Sequence, residues 1–145
     1  MFKAALLTVI PAFTAAMTFA AATASAATAV VAPPPASVMA ALNGDPVAGK
    51  TVFNACRMCH AVAPDRNGIG PSLHGVVGRA AGSVASYTYS TQLKTSRIVW
   101  TEPVLNQFLV APQAYVPGTK MAYAGLKDAQ KRADLIAYLK TKPLS

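Results

Sequence analysis

In the stretch FNACRMCHAVAP, residues 53–64, two residues separate Cys56 from Cys59, and His60 follows at once. These are the only two cysteines in 145 residues. Four chemistries use thiols at this spacing: a disulfide, a thiol–disulfide redox pair, half of a zinc site, and covalent attachment of a haem. A disulfide between positions i and i+3 closes so small a loop that it restrains the unfolded chain very little. A redox C-x-x-C belongs beside a βαβ pattern, and no parallel-strand sequence surrounds this one. Zinc takes four ligands, commonly from two spaced pairs. Beyond the cysteines the chain offers only His60 and His74, and a histidine directly adjacent to Cys59 strains a tetrahedron. C-x-x-C-H, by contrast, is the attachment signature of a c-type haem. On a helical turn i, i+3 and i+4 share a face, so Cys56 and Cys59 can each form a thioether to a vinyl group while His60 is carried under the iron.

A carrier haem of this kind pairs its histidine with a methionine. Of the five methionines, Met1 and Met17 fall in the N-terminal apolar segment, Met39 in a linker, and Met58 between the cysteines. Met121 remains, in YVPGTKM, where Pro117-Gly118 predicts a turn that keeps the segment in loop form. A lone methionine otherwise serves as gap-filling core; with C-x-x-C-H upstream, ligation is the preferred reading. His74, the competing ligand, reads as a surface or structural histidine.

The elements that must position these residues lie in one domain of about 100 residues, 43–145. Asp45-Pro46 is a helix start, with Asp as N-cap and proline at the first helical position; this helix is expected to run toward Cys59. Residues 63–90 are rich in glycine and read as irregular loop. A second helix begins at Thr101 with Pro103 in its first turn and is stopped by Pro112; a third begins at Asp128 and carries Leu135, Ile136 and Leu139 at helical spacing. Three helices joined by long loops make a poor core of their own, and a central cofactor would account for the loops.

Before this domain, Lys3, an apolar run and Ala24-Ser25-Ala26 predict a secretory signal over 1–26, cleaved near Ala26. An uncleaved inner-membrane anchor is the rival, weakened by Pro11 and by the shortness of the apolar run. Residues 27–42, with Pro33-Pro34-Pro35, read as a linker. The net charge of +8 falls to +7 without Lys3, and the basic residues are dispersed. No nucleic-acid-binding motif or basic face is evident. The charge suits solubility or steering toward an acidic surface.

GDPVAGKTVFNACRMCH, GPSLHGVVGR, YTYS, Trp100, YVPGTKM and DLIAYLK follow one another over nearly all of residues 43–142. In these pieces and their order the chain resembles the class I c-type cytochromes, specifically mitochondrial cytochrome c and its soluble bacterial relatives. The resemblance implies an all-α fold, a few helices and long loops wrapped around one covalent haem c. It implies that the first and last helices cross at Gly49, with Phe53, Leu135 and Tyr138 nearby. It implies His60 and Met121 as axial ligands, the Pro71 carbonyl as acceptor for the other ring nitrogen of His60, and Arg79, Tyr89 and Trp100 around the haem propionates. Read from the residues alone, those last three are equally a surface arginine and two core aromatics.

The sequence departs from the mitochondrial pattern at Phe108, where a tyrosine stands, at Leu93, where an asparagine stands, and at Gln113 and Ala114, which replace a lysine pair; Lys120 and Lys127 remain at lysine positions. The function implied is a monomeric periplasmic one-electron carrier, not an enzyme, in a respiratory chain or similar pathway. Its partners would be acidic surfaces of redox proteins: a bc-type complex as donor, and an oxidase, a reaction centre or a dehydrogenase on the other side. It would touch a membrane only if the N-terminal segment were retained.

Overall fold

Asp45 opens the first helix as its sequence predicts: the carboxylate accepts from the Val47 amide at 2.8 Å, and Pro46 occupies the first turn of α1, Pro46–Val52. The computed structural model describes residues 43–142, so the predicted signal at 1–26 and linker at 27–42 lie outside the described residues. Helix α1 does not continue to Cys59 as an α-helix. It tightens into a single 3₁₀ turn over Phe53–Ala55, where the Cys56 amide bonds to the Phe53 carbonyl at 2.8 Å. Such i→i+3 closure is the usual way a helix end satisfies its last carbonyls. A further turn follows, in which the Cys59 and His60 amides both donate to the Cys56 carbonyl, at 3.1 and 2.9 Å.

The remaining helices are α2, Thr91–Thr95, α3, Glu102–Val110, α4, Pro112–Tyr115, and α5, Ala129–Lys140. The α5 cap is Asp128, which accepts from the Lys131 amide at 3.0 Å. Thr101 stands at the N-cap position of α3 but its hydroxyl makes no capping bond. Pro112 does end α3, and it also starts α4, whose first position needs no N–H. Helices α2 and α4 were not expected from sequence. At five and four residues they are too short to hold alone, and α2 relies on the Ser90 hydroxyl, which accepts from the Leu93 amide at 3.3 Å.

The most extensive helix–helix contact among the described residues is between α1 and α5. It is possible because residue 49 is glycine: a Cβ there would run into the Asp134 carbonyl and the Tyr138 Cβ. Phe53 packs on Tyr138 at 5.5 Å between ring centroids. Leu135 and Ile136 beneath the crossing are among the most buried side chains. The buried Asp134 carboxylate accepts from the Asp45 amide at 2.9 Å and from Gln130 Nε2 at 2.8 Å, tying the two helix starts together. Helix α3 completes the core with Leu105, Phe108 and Leu109, and Trp100 lies against Phe108 at 4.8 Å. No described helix is long and apolar enough to cross a membrane.

Candidate haem-binding site

The turn that ends α1 holds Cys56, Cys59 and His60 together through the shared Cys56 carbonyl. All three line a cavity of about 370 Å³, and so do Pro71, Arg79, Tyr89, Trp100 and Met121. Every residue preferred from the sequence as a ligand, an attachment point or a neighbour of the haem therefore reaches one space. The cavity lies in the size range of cofactor sites, and α3 and α5 contribute Leu105, Phe108, Leu109 and Leu139 to a mostly apolar wall. His74 does not line it. Its backbone is structural: the amide donates to the Ser72 hydroxyl at 3.1 Å, and the carbonyl accepts from Arg79 Nη1.

The His60 ring is oriented from two sides. Its Nδ1 lies 2.8 Å from the Pro71 carbonyl. A carbonyl only accepts, so Nδ1 carries the hydrogen and Nε2 keeps the lone pair that a metal requires. Against the ring lies Gly70, where a Cβ would collide with Cε1, Nδ1 and Nε2 of the imidazole. Burial pulls the His60 pKa down, partly offset by the bond to Pro71. The neutral ring is the ligating form.

The segment bearing Pro71 is itself fixed. The Asn67 side chain accepts from the Ser72 amide at 2.9 Å and donates to the Ser86 hydroxyl at 2.9 Å, and Ser72 Oγ donates to the Ala63 carbonyl at 2.7 Å. Tyr87 adds a bond to the Ile69 carbonyl at 2.7 Å and stacks edge-on against Tyr89 at 4.8 Å.

Cys56 and Cys59 are both partly buried and are not joined to each other. Burial, with a smaller contribution from Cys59, pushes the Cys56 thiol up. Reactive dithiols work through a depressed thiol pKa, the opposite direction. Among the described residues no group of three or more histidine, cysteine or carboxylate side chains is placed to hold a metal ion.

Arg79 carries charge into the wall. Nη1 donates to the His74 carbonyl at 2.6 Å and Nη2 to the Ser72 carbonyl at 2.9 Å, while Nε is buried without a partner. Burial lowers its pKa and Tyr89 opposes that, yet a guanidinium stays protonated. A half-satisfied cation beside an apolar cavity suits a ligand that is apolar in its body and anionic at its edge. Together with the imidazole lone pair and the paired thiols, that donor set fits a haem.

The Met121 segment begins with the predicted turn. Gly118 has φ +84°, and the Thr119 amide closes back on the Val116 carbonyl at 3.0 Å, the geometry glycine permits in a type II turn. Near Met121, Phe108 also packs on Tyr115 at 6.1 Å, and Leu93 shares the cavity wall. The two departures from the mitochondrial pattern, Phe108 and Leu93, thus give an apolar lining where that pattern has polar side chains.

The family model for cytochrome c matches residues 46–143. The chain belongs to the cytochrome c family. Cytochrome c2 of Rhodopila globiformis is 54% identical over 99 residues, 68% of this chain and 93% of that protein. Cytochrome c of Euglena viridis is 48% identical over 99 residues, covering 68% of this chain and 97% of the relative. Among solved structures, cytochrome cH from Methylobacterium extorquens superposes with a TM-score of 0.65 at 46% identity, over 68% of this chain and all of the other. With the family come one covalent haem c and an electron-transfer role rather than an enzymatic one; the all-α cytochrome c fold expected from the sequence is the one observed.

Sequence reasoning missed several residues that shape the site. Gly70, which stands in the quoted GPSLHGVVGR piece but was given no role, and Asn67 set the His60 ring and its acceptor. Tyr123 and Thr119 line the cavity. Gln113 had registered only as a lost lysine, although its amide donates to the Thr119 and Met121 carbonyls, at 3.0 and 2.8 Å.

Proposed function

We propose that this chain is a periplasmic one-electron carrier in which Cys56 and Cys59 hold the haem by thioethers, and His60 Nε2 and Met121 Sδ are the axial ligands. The observation that carries this reading is the His60–Pro71 bond inside a cavity shared with both thiols and Met121. The haem, when bound, supplies a ferrous/ferric couple. The chain's own task is to hold its ligands still in both states, so that little reorganises when an electron arrives. Pro71 and Gly70 hold the imidazole, the apolar wall excludes water, and Arg79 would neutralise the anionic edge, with Tyr89 and Trp100 lining the cavity beside it.

With His60 and Met121 both holding the iron, no position would remain for a substrate, as befits a carrier. The positive charge of the domain favours acidic docking surfaces. A bc-type complex as donor and an oxidase, reaction centre or dehydrogenase as the other partner fit a monomer of this kind, and relatives named cytochrome c2 support that range. The predicted signal at 1–26 would deliver the domain to the periplasm.

The test is expression with a haem-attachment system, intact mass under denaturing conditions and visible spectra of both redox states. One haem added covalently, no free thiol, a low-spin six-coordinate spectrum and cleavage near residue 26 are expected. Met121→Ala should open the iron to small ligands. Retained thiols without pigment, or a spectrum indifferent to Met121→Ala, would overturn the assignment of ligands.

A further inference from the structure

Residues 117–128, which carry Met121, contain no helix or strand. A segment without backbone ladders must satisfy its carbonyls otherwise, and side chains from the flanking elements do so at Thr119, Met121, Leu126 and Lys127, while its own lysines tie it outward. Arg132 of α5 donates to the Leu126 and Lys127 carbonyls at 2.7 and 2.8 Å, anchoring the far end of the loop. Lys120 Nζ reaches the Thr88 carbonyl at 3.0 Å, and Lys127 Nζ reaches Val110. At Met121 itself the partner is Gln113. Its single Nε2 spends both hydrogens on this loop, one on the Thr119 carbonyl at 3.0 Å and one on the Met121 carbonyl at 2.8 Å.

Gln113 is well placed for this. It sits in α4, seated by the buried Pro112 and by the Ala111 carbonyl, which accepts from the Ala114 and Tyr115 amides at 3.1 and 2.9 Å. From α4, before the Pro117–Gly118 turn, the Gln113 side chain reaches past it: one bond holds the backbone of Met121 itself and the other that of Thr119, two residues before it. A lysine here would bring a charged, strongly hydrated, tetrahedral ammonium on a flexible stem, where Gln113 brings a neutral planar NH₂ with both hydrogens directed at the loop. The loss of a lysine and the gain of this clamp are the same substitution.

We propose that Gln113 is a positioning residue that latches the Met121 loop and sets how often Met121 leaves the iron. The inference rests on the His60/Met121 ligation proposed above. Lifting Met121 breaks both Gln113 bonds, so a variant without them opens more often while the remainder of the fold, which does not depend on this exposed side chain, is unchanged.

The experiment uses ferric holoprotein and imidazole as the probe. With Met121 bound, the rate of imidazole binding should saturate at high concentration, and its limit is the opening rate. Gln113→Ala and the near-isosteric Gln113→Glu, which keeps the bulk but has no N–H to donate, should both raise that limit about tenfold, the loss expected for two neutral hydrogen bonds at a part-exposed site. Hydrogen exchange at the Thr119 and Met121 amides should accelerate in parallel, with the global unfolding midpoint unmoved. A limiting rate equal to wild type, or one that rises only with a loss of global stability, would overturn the latch. Binding that never saturates in the wild type and is the same in Met121→Ala would refute the ligation reading, and the latch with it.

Discussion

Gly49→Ala tests the contact on which the fold turns. An added Cβ would overlap the Asp134 carbonyl and press on the Tyr138 Cβ. Both obstacles belong to α5, whose Leu135 and Ile136 are 2% and 1% exposed. A flexible side-chain end could step aside, but these atoms cannot without moving the helix. Overpacking of a rigid site costs about 1–3 kcal/mol, occasionally more, and a clash with backbone belongs at the upper end. Alanine in place of glycine within α1 returns about 1 kcal/mol of helix propensity and unfolded-state entropy. The net expectation is about 2 kcal/mol of destabilisation, or about 10 °C in Tm for a domain of this size. Thermal and denaturant unfolding of the holoprotein, followed by far-ultraviolet circular dichroism, measures it, and Gly49→Val should cost more. Stability equal to or above wild type in Gly49→Ala would refute the close crossing, because propensity would then be the only term acting. Since α1 leads into the Cys56–His60 turn, the same variant should also loosen the haem attachment region.

Gly70→Ala should displace the His60 ring, because the methyl would meet all three of its named ring atoms; a shifted reduction potential and a lower yield of haem-loaded protein check this. Arg79→Lys cannot reproduce the paired bonds to the His74 and Ser72 carbonyls, and about 1–3 kcal/mol of stability should be lost on denaturant unfolding. Burial raises the Tyr89 pKa, with Arg79 opposing it. The unfolded chain therefore releases this proton first, near pH 10. The stabilising contribution is complete below that pH and falls away as pH climbs through the folded value, so Tyr89→Phe should flatten the alkaline decline in Tm. Raising ionic strength should slow association with an acidic redox partner, and an association rate indifferent to salt would remove the steering role of the basic charge.

The local signals in the sequence were read correctly where one short segment carries the whole physical cause. Asp45-Pro46 and Asp128 cap helices because the cap is a local bond, and Pro117-Gly118 turns because glycine tolerates its dihedral. Cys56, Cys59 and His60 share a turn because their spacing is helical, although the turn is reached through a 3₁₀ segment and not the unbroken α-helix expected. The resemblance to known cytochromes added Pro71, Arg79, Tyr89 and Trp100, which composition and periodicity alone could not distinguish from ordinary surface and core.

What the tertiary structure decided is everything whose cause lies far apart in the chain. Helices α2 and α4 are too short to carry a periodic signal and exist because their neighbours hold them. Gly70 matters only because His60, ten residues earlier, lies where its side chain would be. The unpartnered Nε of Arg79 is visible only once burial is known. Gln113 looked like a missing charge, and only the fold brings its amide to the Met121 carbonyl. The sequence by itself determined which groups could hold a haem, since that depends on residue type and spacing; their orientation depends on bonds between segments, which only the folded chain brings together.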